Sequence, residues 1–232
     1  IRRGGRALLQ RLSRKGTPVV DEKQHAKQND ERLLALKDIH RGQRGFIIGN
    51  GPSLTIADLD RLKNEITFAS NRIYLAFDET NWRPTYYNMC DKVVARENHD
   101  IVKGLALTKV LANSVRPIFM DDPKAIFLNP KRSKDDQADV VGWDLYRGQN
   151  AGHSVVNLSI KIAYWMGIRE IYVIGCDHNF HIPDTKTGET VAHNEVIVSK
   201  GERNHFHPDY RKPGDTWTVP KLDTMAEEFL LA

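Results

Sequence analysis

One short stretch constrains the fold more than any other, an apolar run that ends in a glycine-rich turn. Residues 46–48, Phe-Ile-Ile, are typical of a buried strand. Residues 49–52, Gly-Asn-Gly-Pro, break the run, and Thr55 followed by Asp58 predicts a capping box where a helix begins. A strand, a glycine-rich turn and a helix N-terminus together favour phosphate binding. The same pattern also suits a strand-to-helix turn that needs glycine for its geometry alone.

Strand-like and helix-like segments alternate along the chain, which predicts an α/β fold with a Rossmann-like, mainly parallel sheet and flanking helices. The predicted strands are residues 46–48, 66–70, 85–88, 117–120, 125–128 and 170–175. The predicted helices are residues 21–40, 92–107, 154–166 and 222–231. Residues 181–220 predict a long irregular loop of the functional or mobile kind. We expect a basic, helical extension at residues 1–44 and a nucleotide-sugar-binding catalytic domain at residues 45–232.

The predicted strands place polar side chains at one edge of the sheet. Asn50, Asn71 and Asn88 lie at the ends of three successive strands, and Asp177 follows the strand at residues 170–175, which we expect at the centre. Ligands of open parallel sheets bind outside the carboxyl ends of the strands. These four residues should therefore surround one cleft, although asparagine is also common in turns for its own backbone bonding.

Composition and charge limit the class of partner. The chain has 232 residues, a net charge of +4 and two cysteines, which lack the spacing of a zinc site or a disulfide framework. Much of the charge lies in residues 1–15, a cluster suited to peripheral contact with an anionic membrane and more often a solvated end. The near-neutral remainder argues against nucleic acid. Without a span-length apolar run or a signal peptide, we expect a cytoplasmic protein, at the inner face of the membrane if the basic end binds lipid. A homo-oligomer is compatible with this sequence.

Histidines provide the candidate catalytic groups. His178 follows the strand at residues 170–175, while His205 and His207 lie in the polar stretch that follows. No H-E-x-x-H pattern predicts a metal site here. A histidine suits general-base catalysis because its ordinary pKa lies near neutral pH, and each of the three is equally compatible with a loop residue bonded to backbone.

The motif Gly-Asn-Gly-Pro-Ser-Leu at residues 49–54 resembles the N-terminal motif of the bacterial sialyltransferases of glycosyltransferase family 42. It also resembles the wider group that includes MptE-like 6-hydroxymethylpterin pyrophosphokinases and flagellin-modifying Maf glycosyltransferases. The likeness continues at residues 70–72 and 86–88 and is strongest over residues 163–177. It extends over roughly residues 45–229 as separate blocks of motif.

This resemblance implies a sialyltransferase (GT-A-like) type of fold, a CMP-sugar donor and no metal or other cofactor. Carried over by position, the nucleotide-binding residues are Asn50, Gly51, Pro52, Ser53, Asn71, Asn88, Gly152, Ser154 and Asp177. His205, in Asn-His-Phe, matches the family's general base, and His207 is the alternative after a two-residue slip. His178 stands where the sialyltransferases have a tyrosine that helps the phosphate leave.

The activity implied by the resemblance is glycosyl transfer from a CMP-activated nonulosonic acid, such as sialic acid. The acceptor would be a glycan or a lipid-linked glycan of the bacterial surface, in lipopolysaccharide or capsule. Two alternatives stay open. One is an MptE-like pyrophosphokinase that uses ATP and Mg²⁺, with Asp91, Asp121, Asp122 and Asp177 as candidate ligands. The other is a nucleotide-binding module without catalysis.

Overall fold

A computed structural model describes residues 22–130, 144–148, 154–191 and 194–231, and its core is one parallel sheet. The strands of this sheet are β1 (Arg44–Ile48), β2 (Ile66–Ser70), β3 (Tyr86–Met89), β4 (Thr108–Leu111), β5 (Ala125–Phe127) and β6 (Glu170–Ile174). Their order is β5-β4-β3-β2-β1-β6, and every neighbouring pair is parallel. The predicted α/β, Rossmann-like sheet is confirmed.

Helices cover both faces of the sheet. They are α1 (Glu22–Ala35), α2 (Ile56–Arg61), α3 (Lys92–Glu97), α4 (His99–Gly104), α5 (Arg116–Phe119), α6 (Val155–Trp165) and α7 (Leu222–Leu231). The predicted capping box at Thr55 and Asp58 is present at the start of α2. Helix α6 buries Leu158, Ile162 and Trp165 against one face of the sheet. A helix with so wide an apolar face packs well against the central strands. Its N-terminus then lies at the carboxyl ends of the strands, the edge at which open α/β sheets bind ligands.

Helix α1 packs on the sheet at the β5 side. The Asn29 side chain bonds both the N–H and the C=O of Phe127, at 2.7 and 2.8 Å, and Leu33 is fully buried. Arg32 donates to the Ala125 carbonyl at 2.8 Å. Although α1 lies before the boundary predicted at residue 44, the chain from residue 22 onward contributes to one α/β core.

A second sheet lies within residues 181–220, which the sequence predicted to be irregular. Its three antiparallel strands are β7 (Lys186–Val191), β8 (Asn194–Val198) and β9 (Thr216–Thr218), in the order β7-β8-β9. The prediction is therefore wrong for these strands. Strand β7 is almost entirely exposed and polar, so it lacks the alternation of apolar and polar residues by which a strand is recognised.

Three further details of the sheet differ from prediction. The strand predicted at residues 117–120 is the helix α5, with Pro117 in its first turn, where proline is favoured. The helix predicted at residues 92–107 is two short helices that meet at Asn98, whose backbone leaves the helical conformation. Strand β6 lies at the edge of the sheet beside β1 and not at its centre.

Candidate functional site

A cavity of about 490 Å³ opens at the carboxyl ends of β1, β2 and β6, between the two sheets. Strands β2, β3, β4 and β5 follow one another on one side of β1, whereas β6 lies on the other side of β1. This change of direction is the topological switch point at which open α/β sheets bind ligands. Both ends of the predicted site, the turn after β1 and the segment after β6, line this cavity.

The glycine-rich turn is held against the end of β6 by its own backbone. The N–H groups of Gly49 and Gly51 donate to the carbonyls of Ile174 and Gly175, each at 2.8 Å. A Cβ on Gly49 would lie 2.2 Å from the Gly175 oxygen. These two N–H groups are therefore bonded to the protein itself, and glycine is required here because the two backbones approach so closely.

Gly51 also makes room for a side chain. A Cβ there would lie 1.9 Å from Oδ2 of Asp177, and this same oxygen accepts a hydrogen bond from the N–H of Ser53 at 3.3 Å. Ser53 is itself exposed and lies outside the cavity lining, while Pro52 lies within it. The predicted contact of Ser53 with the nucleotide is thus replaced by a backbone bond that holds Asp177.

Two of the predicted amides, Asn50 and Asn71, line the cavity with unused acceptors. Asn50 donates to the Ser70 carbonyl at 3.1 Å, but its Oδ1 is buried and has no hydrogen-bond partner among the described residues. Oδ1 of Asn71 is buried and unpartnered in the same way, and this residue has a left-handed backbone with φ +52°. A buried acceptor without a donor costs about 1–3 kcal/mol, which a ligand hydroxyl or amino group would offset.

The third amide, Asn88, is a structural residue. Its side chain is fully buried, donates to the Val110 carbonyl at 3.0 Å and accepts from the Ser159 hydroxyl at 3.0 Å. It does not line the cavity. Its amide joins β3 to the next strand and to α6, so the structure favours this structural role over the predicted nucleotide contact.

The N-terminus of α6 faces the cavity. Ser154 is its N-cap and accepts a hydrogen bond from the Val156 N–H at 3.2 Å. Ser154, Val155 and Val156 all line the cavity. The end of an eleven-residue helix carries a partial positive charge, so this position suits an anionic group. Gly152, predicted beside it, lies outside the described residues.

The three predicted histidines have different environments. His178 lines the cavity with φ +50° and a buried Nδ1 that has no partner among the described residues, and its ring edge contacts Phe229 of α7. His205 also lines the cavity and stacks on Tyr210 with ring centroids 3.8 Å apart. His207 lies outside the lining, because its Nδ1 accepts from the Asp209 N–H and its Nε2 lies 3.5 Å from Glu79.

The environment of His205 is unfavourable to a proton. Burial, followed by the nearby charges of Arg211 and Arg72, lowers the pKa of this imidazole to about 3. The segment that carries it is fixed in place, since the Phe206 N–H donates to the Asn50 carbonyl at 3.0 Å. His205 is therefore neutral at physiological pH and a weak base in this arrangement.

Two arginines in the cavity have no counterpart in the predicted site. Arg72 donates to the Tyr210 carbonyl at 2.7 Å and pairs with Glu97 at 3.2 Å. Arg211 lies over the ring of Trp217 at 3.9 Å, and its NH1 is buried without a partner among the described residues. Arg72 stands within the Ser-Asn-Arg block of the resemblance, but no pattern in the sequence marks Arg211.

Neither cysteine is available as a thiolate. Burial raises the pKa of Cys90 to about 12, and burial followed by the charge of Asp177 raises the pKa of Cys176.

Among the described residues, no group of three or more His, Cys, Asp or Glu side chains is arranged to hold a metal ion. Helices long and apolar enough to cross a bilayer are also absent from this part of the chain.

Comparison with known proteins places the chain in a family. The sequence model of the 6-hydroxymethylpterin diphosphokinase MptE-like family matches residues 23–183. The chain belongs to this family. The MptE-like match confirms one branch of the resemblance noted from the motifs at residues 49–54 and 163–177. It covers the main sheet and ends before the small sheet, so His205, Arg211 and Trp217 of this MptE-like protein lie beyond it.

The solved structures include a Maf glycosyltransferase from Magnetospirillum magneticum AMB-1 that is similar to this MptE-like chain. The two share 16% sequence identity with a TM-score of 0.44, over 85% of this chain and 32% of that one. The chain thus spans about a third of the length of that protein. No curated protein sequence matches this chain.

Proposed function

We propose that this MptE-like protein is a transferase that binds a nucleotide-activated substrate in the cavity at the β1/β6 switch point. Its donor is a CMP-sugar, a nonulosonic acid such as sialic acid, and its acceptor is a glycan or lipid-linked glycan of the bacterial surface. The observation that carries the proposal is the pair of buried, unpartnered amide oxygens of Asn50 and Asn71. Both line a cavity that also contains the N-terminus of α6.

The charges of the cavity fit a donor that needs no metal ion. Phosphate is bound either by cationic side chains and helix N-termini or by a cation such as Mg²⁺. This cavity offers Arg72, Arg211 and the N-terminus of α6. Its carboxylates are engaged with the protein, as Glu97 pairs with Arg72 and Oδ1 of Asp91 accepts the N–H groups of Val93 and Val94.

The alternative is the 6-hydroxymethylpterin diphosphokinase reaction named in the family description, for which the motif resemblance implies ATP and Mg²⁺. Mg²⁺ usually takes only one or two carboxylates together with the phosphates of its nucleotide. Asp177 at the switch point and Asp91 at the start of α3 both line the cavity and would be the ligands. Asp121 and Asp122, also considered from the sequence, are not in the lining, and Asp122 pairs with the buried Lys109 at 2.9 Å.

In the proposed transfer, the acceptor hydroxyl loses its proton to a base while its oxygen attacks the anomeric carbon. The bond from this carbon to the phosphate oxygen breaks, and CMP leaves with both electrons. We assign the base to His178, because its Nδ1 is unpartnered and it lines the cavity. His205, the base preferred from the motif, has too low a pKa for this role unless the ligand changes its surroundings.

A comparison of nucleotides tests the donor. CMP should raise the melting temperature of the wild-type protein without added metal, by about 5–10 °C at 100 times Kd, since that ligand excess stabilises by about 2.7 kcal/mol. Asn71→Gly should remove most of this shift, because glycine tolerates the left-handed backbone while the amide oxygen is lost. The exposed Asn64→Ala is the matched control and should respond as wild type. A shift with ATP and Mg²⁺ but none with CMP would contradict the proposal and favour the alternative.

A further inference from the structure

The cavity has a second half that the nucleotide site does not explain. It is lined by the small sheet and the segment between β8 and β9, including Val191, Arg211, Trp217 and Thr218. All of these residues follow residue 183, where the family match ends. This half therefore belongs to the part of the chain in which the protein differs from the common core of its family.

Arg211 is a cation held in place without a carboxylate in direct contact among the described residues. Its guanidinium lies over the Trp217 ring at 3.9 Å, and no carboxylate of the described residues lies within 4.0 Å of it. Its buried NH1 has no hydrogen-bond partner among those residues. Stacking on an aromatic ring fixes the plane of the guanidinium and leaves its edge to bind an anion.

The carboxylates around Arg211 lie beyond ion-pair distance of it. Oε2 of Glu202 accepts from the Ser199 hydroxyl and the Lys200 N–H, at 3.1 and 2.9 Å, and its Oε1 is buried with no hydrogen-bond partner among the described residues. Asp215 accepts from the Lys212 N–H at 2.8 Å and lies 3.7 Å from Arg72. Burial lowers the pKa of Arg211 to about 10, so the group stays charged at neutral pH while its charge is destabilised. An anion beside it would relieve that cost.

Trp217 contributes a second free donor. The residue is 5% exposed, and its Nε1 is buried with no partner among the described residues. An indole N–H can only donate, so an apolar ligand would leave it unpaired. A carboxylate or phosphate oxygen accepts from an indole and a guanidinium at once, whereas a neutral hydroxyl pairs poorly with two donors and a full positive charge.

We propose that Arg211 and Trp217 form an oxyanion subsite, which binds the carboxylate or phosphate of the substrate that fills the small-sheet half of the cavity. The subsite rests on the proposed function, since it assigns an acidic group to a substrate of the same transfer. It predicts that the protein selects an anionic partner for its nucleotide and rejects the neutral analogue. The planar fork of the guanidinium suits both anions, so the probes separate them.

The test uses the whole chain saturated with CMP, which keeps the probes out of the nucleotide half. Inorganic phosphate, glucuronate and neutral glucose are titrated by calorimetry. We expect one or both anions to bind and glucose not to bind. Arg211→Gln should weaken anion binding at least tenfold with a CMP affinity within twofold of wild type. Stronger binding of glucuronate than of phosphate identifies a sugar carboxylate as the natural group, and the reverse identifies a phosphate.

Two further variants keep the test decisive. Arg169→Gln is the matched control, because Arg169 also stacks on a ring, that of Tyr164 at 3.7 Å, but lies outside the cavity. Trp217→Phe keeps the ring and removes only the N–H, so it should weaken anion binding severalfold even if Arg211→Gln does not fold. Anion binding that is absent in wild type, or indifferent to both variants, overturns the subsite and leaves Arg211 as a structural partner of the Trp217 ring. If CMP itself fails to bind, the proposed function fails, and the anion titrations without CMP still test the subsite.

Discussion

Replacing Gly49 with alanine is expected to lower the free energy of unfolding by about 3 kcal/mol or more, at the upper end of what overpacking costs. The added Cβ would lie 2.2 Å from the oxygen and 2.7 Å from the carbon of the Gly175 carbonyl. Both atoms belong to the backbone of the β6 end, so no side-chain rotation relieves the contact. Urea denaturation of the variant and of wild type measures the difference.

Gly51→Ala is the informative comparison. Its Cβ would lie 1.9 Å from Oδ2 of Asp177, a side-chain atom that can rotate away, and 2.9 Å from the Gly175 oxygen, a much milder backbone contact than the one at Gly49. We expect the free energy of unfolding to fall by less, about 1 kcal/mol. When Gly51→Ala is combined with Asp177→Ala, the total decrease should be smaller than the sum of the two single decreases. Gly104→Ala is the control, because nothing lies within 4 Å of its Cβ position, and alanine there should be neutral or slightly stabilising. Equal losses at Gly49 and Gly51 would show that close approach to β6 does not set the need for glycine.

The parts of the fold that the sequence predicts well are those in which local pattern and tertiary environment agree. The strand at residues 66–70 is predicted with its observed bounds, because an apolar run is followed at once by a polar turn. The helix predicted at residues 154–166 is observed as α6, with Ser154 as its N-cap and Gly167, at φ +93°, just beyond its end. Each of these signals depends only on neighbours in sequence.

The strand β4 shows why other parts are not predicted. Lys109 lies at its second position and is fully buried, with its ammonium 2.9 Å from Asp122 and 2.8 Å from the Leu105 carbonyl. A lysine is almost never fully buried unless it is paired, and its partner is thirteen residues away in sequence. The pattern therefore indicated neither a strand nor a core position.

The site residues also divide into those predicted from local sequence and those brought in by contacts between distant parts of the chain. The sequence places Asn50, Asn71 and Asp177 at one edge because the carboxyl ends of parallel strands meet there, and all three line the cavity. Arg211 and Trp217 reach it only because a small sheet, whose strand β7 is polar and exposed, packs beside the main one. Asn88 shares the strand-end pattern of the other two amides, but this pattern also suits an amide that bonds a neighbouring strand, as Asn88 does here.

His178 is expected to be the residue whose loss most reduces turnover. It is one of three described residues other than glycine with a positive φ, and it holds this conformation directly after the switch-point strand. A non-glycine residue in the left-handed region costs of order 1–3 kcal/mol unless its surroundings impose it, and such strain concentrates at active sites. Its Nδ1 is buried and has no hydrogen-bond partner among the described residues, so no other protein group competes with an acceptor hydroxyl for it.

The measurement is release of CMP from CMP-sialic acid, in which water takes the place of the unidentified acceptor. His178→Asn should lower the rate by about a hundredfold to ten-thousandfold, the range of general acid–base catalysis. Asparagine tolerates the left-handed backbone, so the fold and the CMP affinity should stay close to wild type. The exposed His25→Asn is the control, and His207→Asn should also retain its rate, because His207 lies outside the cavity.

His178→Gly should regain part of its rate with added imidazole, a recovery that a purely structural role for His178 would not give. If His205→Ala removes the activity and His178→Asn does not, then ligand binding must raise the pKa of His205 from about 3 toward neutrality, and His205 is the base.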